Sequence, residues 1–104
     1  MTINFRLIAI FAEAEMRSLA QRYVADCVVT ALDLEPTRPW FLFETKTDAE
    51  RDLLRGNETL HTEFKEVFRA RECPDAIVRS LMFTFQSQET VERDYSGNWR
   101  WALQ

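Results

Sequence analysis

Glycine and proline are scarce in this sequence, which has two glycines and three prolines among its 104 residues. Both residue types interrupt regular structure, so their scarcity predicts long helices and strands joined by few turns. The two glycines stand alone, which excludes a glycine-rich phosphate-binding loop. The two cysteines, Cys27 and Cys73, are too few for a disulfide framework in a chain of this length.

Long hydrophobic runs are also lacking. The apolar start of the chain carries Arg6 within it and Glu13 and Glu15 just after it. A signal peptide has its charge before the apolar run, and a membrane-spanning helix needs roughly 20 apolar residues. We therefore expect a cytoplasmic protein that is not inserted in a membrane.

Basic clusters are the third absence. The formal net charge is −4, and residues 44–66 hold seven acidic and four basic side chains, a local net charge of −3. Proteins that bind nucleic acids or anionic membranes need clustered lysine and arginine to pair with phosphates. The charge distribution therefore argues against both kinds of partner.

Apolar side chains are abundant enough to build a core. Hydrophobic residues make up 46% of the chain and aromatic residues 12%, and the length is typical of one domain. We therefore expect residues 1–104 to form a single α+β domain.

The hydrophobic pattern predicts an alternation of strands and helices. Apolar and polar residues alternate over residues 3–10, 40–44, 78–87 and 99–103, which predicts four strands. Helical spacing predicts one helix from residue 13, one over 48–55, one over 58–71 and a short one over 88–94. Thr47 and Glu50 have the spacing of a capping box, which predicts that a helix begins at Asp48. Residues 28–34 fit either a helix or a strand.

These elements predict a two-layer α+β sandwich. Its sheet would be mainly antiparallel, with four to five strands and two main helices on one face. If residues 28–34 form a strand, the first six elements have the order βαββαβ of a ferredoxin-like sandwich. If they are helical, the sheet has one strand fewer.

Motifs for catalysis and metal binding are weak. His61 and Glu63 match the start of the zinc-deaminase signature, but that chemistry also needs Pro-Cys-x-x-Cys, whereas Cys73 and Pro74 occur here in the reverse order. We interpret His61 as a solvated helical residue, Cys27 as a small buried hydrophobe and Cys73 as part of an exposed turn. No catalytic residue, metal ligand or cofactor is predicted.

Acidic helical residues and the C-terminal tryptophans are the candidate binding residues. Carboxylates attract basic proteins, and exposed indoles act as anchors in protein interfaces. An alternative is that the acids form a solvated face balanced by interleaved arginine and lysine, and that the tryptophans pack in the core. The predicted partner-binding residues are Asp48, Glu50, Asp52, Glu63, Glu66, Trp99 and Trp101.

Two hypotheses about function remain at this point. The first is a small acidic protein-binding module with a basic protein as its partner, for instance an immunity protein or antitoxin that neutralises a basic toxin domain. The second is a small enzyme or small-molecule-binding domain with a pocket between sheet and helices. Its polar groups would come from Tyr23, His61, Arg79, Tyr95 and Arg100. The sequence leaves the oligomeric state open.

Overall fold

A computed structural model describes residues 4–103 and contains six helices and three strands. The fold class is therefore α+β, as predicted. The elements in chain order are α1 (Phe5–Ala20), β1 (Val28–Asp33), β2 (Trp40–Thr45), α2 (Asp48–Arg55), α3 (Glu58–Arg69), α4 (Asp75–Ser80), β3 (Met82–Ser87), α5 (Gln88–Tyr95) and α6 (Trp99–Ala102).

The sheet is mixed and has the strand order β1-β2-β3. β1 pairs with β2 in antiparallel orientation, with Thr30 opposite Leu42, and β2 pairs with β3 in parallel orientation. The predicted mainly antiparallel sheet of four to five strands was wrong. The ferredoxin-like topology was wrong as well, because the segment expected to supply its first strand is helical from Phe5.

α1 replaces the predicted strand over residues 3–10, of which residue 3 lies outside the described part of the chain. The Asn4 side chain caps the helix by accepting a hydrogen bond from the Leu7 amide at 3.2 Å. The buried residues recur every three or four positions and form one helical stripe: Phe5, Ala9, Ala12, Met16 and Ala20. None of the helices within residues 4–103 is long and apolar enough to cross a bilayer.

The capping box confirms the prediction for α2. The Thr47 hydroxyl accepts a hydrogen bond from the Glu50 amide at 3.2 Å, and the Glu50 carboxylate accepts one from the Thr47 amide at 3.0 Å. Asn57 caps α3 by accepting from the Leu60 amide at 3.0 Å. Residues 28–34, whose sequence fitted either a helix or a strand, contain strand β1.

Besides residues 3–10, two further predicted strands are partly or wholly helical. The predicted strand over residues 78–87 begins as α4, and only β3 is extended. Residues 99–103 contain helix α6, whose Asn98 cap accepts a hydrogen bond from the Trp101 amide at 3.2 Å. The turn before this helix uses Gly97 at a φ of 80°, a conformation that glycine adopts without strain.

The core lies between one face of the sheet and the helices. Phe41 and Phe43 of β2 point into it, where Phe43 stacks on Phe64 at 4.6 Å and Phe41 contacts Phe68 at 5.7 Å between ring centroids. α1 packs on β1 and α3, and α2 packs on β3, so the helices form a second layer. On the opposite face of the sheet, the side chain of Met82 is half-exposed.

Candidate functional site

An open groove lies between α1 and α3, and we call it the α1–α3 groove. It encloses about 580 Å³. Ala14 and Ser18 are one helical turn apart on α1, and Ala70 follows α3, so small side chains leave a depression where the two helices adjoin. Leu19 and Val67 add larger apolar side chains. The groove therefore has a largely apolar floor.

Three carboxylates stand along this floor. Glu63 and Glu66 come from α3 at helical spacing, and Glu15 comes from α1. Each is paired with an arginine, and the pairs are Arg22–Glu63, Arg69–Glu66 and Arg71–Glu15. Exposed ion pairs of this kind contribute only about 0–1 kcal/mol to stability, so the carboxylates can exchange their partners at low cost.

The pairing with Arg71 favours the ionised form of the Glu15 carboxyl. A hydrogen bond from Arg71 lowers the pKa of the Glu15 carboxyl. The Arg22–Glu63 separation is 3.5 Å, and the Arg22 side chain is 61% exposed. The Arg22 side chain is therefore exposed enough to change its conformation and release Glu63 to another cation.

An exposed apolar stripe on α1 extends the groove toward the N-terminus. Leu7, Ile10 and Phe11 are 50%, 63% and 53% exposed, and they continue the row that contains Ala14. The Phe11 ring lies 5.8 Å below the Arg71 guanidinium, which ties the stripe to the rim of the groove. Sequence reasoning missed this stripe, because the apolar run that contains it was predicted as a strand.

The structure distributes the seven predicted binding residues over three elements. Glu63 and Glu66 line the α1–α3 groove, whereas the residues on α2 and α6 do not. Trp101 is 61% exposed and Trp99 is half-buried, both on α6, which packs on α5. On α2, Glu50 serves the capping box and Asp52 pairs with Arg51.

Asp48, at the start of α2, is engaged within the molecule. The hydroxyl groups of Ser87 and Thr90 donate to one of its oxygens, and Arg93 donates to the other at 2.9 Å. The hydrogen bonds from Ser87, Thr90 and Arg93 hold the pKa of the Asp48 carboxyl well below its usual range. These hydrogen bonds join α2 to α5. Because Ser87 is fully buried, its hydroxyl group is not accessible as a nucleophile.

His61 is packed rather than solvated. Its Nε2 atom makes a hydrogen bond with the Leu54 carbonyl oxygen at 3.0 Å, and its ring stacks on Phe85 at 5.0 Å between centroids. Among residues 4–103, no group of three histidine, cysteine or acidic side chains is arranged to hold a metal ion. His61 thus has a structural position in the contact between α3 and the sheet.

Both cysteines are buried. Burial raises the pKa of the Cys27 thiol to about 11, and it raises that of Cys73 as well. The predicted exposure of Cys73 was wrong, because this residue is only 7% exposed at the end of the turn after α3. Neither thiol is a thiolate nucleophile at neutral pH.

No protein-family model, curated protein or solved structure matches the chain. The functional argument therefore depends on the surface of the molecule itself, and above all on the α1–α3 groove.

Proposed function

We propose that the chain is a small acidic protein-binding module of the cytoplasm and that its α1–α3 groove holds a basic segment of the partner. The observation that carries the proposal is the combination of an open apolar floor with the carboxylates of Glu15, Glu63 and Glu66. A segment with apolar side chains on one side and lysine or arginine beside them complements this arrangement.

The binding energy and the association rate would come from different parts of the site. Apolar area removed from water contributes about 25 cal/mol per Å², and the floor together with Phe11 and Leu7 supplies that area. The net charge of −4 attracts a basic protein before contact and so speeds association. After contact, the partner's cations replace the groove's own arginines beside Glu63 and Glu66.

The biological instance that we propose is an immunity protein or antitoxin that neutralises a basic toxin domain. A toxin that acts on nucleic acid needs a positively charged surface to hold the phosphates. A small acidic protein can cover such a surface without chemistry of its own. The scaffold that residues 4–103 form would then serve to hold the α1–α3 groove rigid.

A small-molecule site is the second candidate, because the volume of the α1–α3 groove lies within the range of ligand pockets. However, none of Tyr23, His61, Arg79, Tyr95 and Arg100, the polar groups expected for such a site, lines the groove. The two functions differ in their salt dependence, since a basic protein partner is attracted over about a Debye length, roughly 10 Å at 0.1 M salt.

The proposal is tested by isolating the partner from the native host and measuring its association with purified variants. Glu63→Lys/Glu66→Lys reverses two carboxylates of the groove. Glu35→Lys/Glu92→Lys is the matched control, because neither residue lines the groove and both double variants change the net charge from −4 to 0. We expect the groove variant to associate about tenfold more slowly than the control at low salt.

Two results would contradict the proposal. Equal association rates for the two double variants would show that only the net charge matters and that the groove is not the docking site. A wild-type chain that binds no host protein in stoichiometric amount, and instead binds a metabolite in the groove, would favour the small-molecule function.

A further inference from the structure

α1 exposes a row of side chains with the spacing of a helix-packing face. The row consists of Leu7, Phe11, Ala14 and Ser18, which follow one another at intervals of four, three and four residues and are all exposed. At about 100° per residue, the four positions lie within an arc of about 60° on the helix surface. Alternating intervals of three and four residues keep one face turned toward a neighbouring helix over several turns. The row is therefore suited to pack against a further helix.

α3 forms the other wall of the α1–α3 groove and has a second row with the same spacing. This row contains Glu63, Glu66 and Ala70, at intervals of three and four residues. The two ion pairs that connect the walls link later positions on one wall to earlier positions on the other, so α1 and α3 run antiparallel. The groove is thus bordered by two helical rows, one apolar or small and the other acidic.

The backbone of both walls is already hydrogen-bonded. Residues 8–16 of α1 and 63–66 of α3 lie within the helices, where amide and carbonyl groups pair along the helix. An extended partner segment gains affinity from backbone hydrogen bonds to an open sheet edge, and these helical residues provide none. Burying backbone groups without partners is costly, whereas a helix pairs its own backbone groups. The walls therefore favour a helical occupant.

We infer that the occupant of the α1–α3 groove is an α-helix of the partner, apolar on the flank that faces α1 and basic on the flank that faces α3. This inference rests on the proposed function and adds the conformation and side-chain pattern of the bound segment. Ala14, Ser18 and Ala70 have small side chains, so a third helix can approach to the interaxial distance of about 8–10 Å that packed helices have. Leu7 and Phe11 then contact its apolar flank.

The charge of the groove determines the chemistry of the second flank. Among residues 4–103, the groove lining contains three carboxylates and one guanidinium, a net charge of −2. Glu63 and Glu66 belong to the α3 row, whereas the α1 row consists of uncharged residues. A helix with lysine or arginine on one flank and apolar residues on the adjacent flank complements both walls. The α1 row is roughly 17 Å long at 1.5 Å per residue, which corresponds to about three turns of the bound helix.

Synthetic peptides labelled with fluorescein test this inference on the full chain. The helical peptide has leucine at the a and d positions of the heptad, lysine on one adjacent flank and glutamine elsewhere. In the proline peptide, two central glutamines are replaced by proline, which breaks the helix and keeps the charge. In the acidic peptide, every lysine is replaced by glutamate. Fluorescence anisotropy should give the helical peptide a dissociation constant at least about tenfold lower than either of the others, and circular dichroism should show that it gains helix on binding.

Substitutions in the α1 row locate the binding. Ala14→Arg and Ser18→Arg each place a large cation where the basic helix would approach, and arginine is a good helix former, so α1 should be retained. Ala49→Arg, at an exposed position of α2, is the matched control because it makes the same change in net charge. We expect each α1 variant to bind the helical peptide about tenfold or more weakly, and the control to change its affinity by less than about twofold.

Equal affinities for the helical and the proline peptide would overturn the inference, because the groove would then not select a helix. Binding of the helical peptide that is unchanged in both Ala14→Arg and Ser18→Arg would overturn it as well. A host partner that depends on Glu63 and Glu66 but is not displaced by the helical peptide would overturn the helical occupant and leave the proposed function intact. A chain that binds the helical peptide as expected, but no host protein, would support the helix preference of the groove and contradict the proposed function.

Discussion

At the scale of single residues, Asp48 shows how distant neighbours decide the role of a side chain. The sequence placed it among the acids of a partner-binding face, whereas the structure surrounds it with the hydroxyl groups of Ser87 and Thr90 and the guanidinium of Arg93. Ser87 is 39 residues away along the chain, so no local pattern indicates this contact. Sequence reasoning therefore does not predict the role of a carboxylate whose hydrogen-bond partners lie far away along the chain.

Asp48→Asn should destabilise the native state and reduce its sensitivity to acid. The folded-state pKa of Asp48 is lowered from 3.8, so its contribution to stability is complete above that value and is lost as the pH falls below it. Urea unfolding at about pH 7 and about pH 3 measures the difference. Asp75→Asn, at an exposed carboxylate in the first turn of α4, is the control. If both variants show the same pH dependence, the Asp48 cluster does not join α2 to α5 in the way described.

The cysteines provide a second test at this scale. Because burial raises the pKa of both thiols, the native chain should react with a disulfide reagent only slowly at about pH 8. Both thiols should react at once in denaturant, which serves as the control. A fast phase of one thiol equivalent in the native protein would show that Cys27 or Cys73 is accessible.

At the scale of elements, the sequence predicted the features with local causes. The capping box placed the start of α2, and the spacing of Leu60, Phe64, Val67 and Phe68 placed the buried face of α3. α1 was mistaken for a strand in its first half because it is apolar on two opposite faces. Leu7 and Ile10 on the outer face interrupt the buried stripe, so the run of residues 5–12 has no clear helical period.

Thr47→Ala should lower the free energy of unfolding by about 0.5–2 kcal/mol, because the Glu50 amide loses its acceptor. Thr59→Ala is the control, since Thr59 is exposed in the first turn of α3, and it should change stability by less than about 0.5 kcal/mol. Chemical denaturation gives both values. Equal effects of the two substitutions would mean that the reciprocal cap is not formed.

Substitutions on the two faces of α1 should differ in their effect on the free energy of unfolding, again measured by chemical denaturation. Met16→Ala removes a fully buried side chain and should cost about 2–5 kcal/mol, whereas Ile10→Ala on the outer face should cost less than about 0.5 kcal/mol. A large loss of stability from Ile10→Ala would instead favour the strand that the sequence pattern predicted.

At the scale of the whole molecule, the number of strands was overestimated because short alternating segments resemble strands. Trp99 and Trp101 alternate with polar or small residues, yet Asn98 caps them into one turn of helix. The parallel pairing of β2 with β3 joins segments about 40 residues apart and has no local signal. The same holds for the α1–α3 groove: Glu63 and Glu66 were predicted as binding residues, while Glu15 and Phe11 were not.

The central claim is that a basic protein binds in the α1–α3 groove, and hydrogen exchange of the chain with and without its isolated partner tests it most directly. We predict slower exchange on binding in residues 14–22 and 63–71, because these segments line the groove and adjoin its rim. Residues 88–103, which form α5 and α6, should exchange unchanged unless Trp101 adds an anchor. Protection confined to α2, α5 and α6, with residues 14–22 and 63–71 unaffected, would contradict the account.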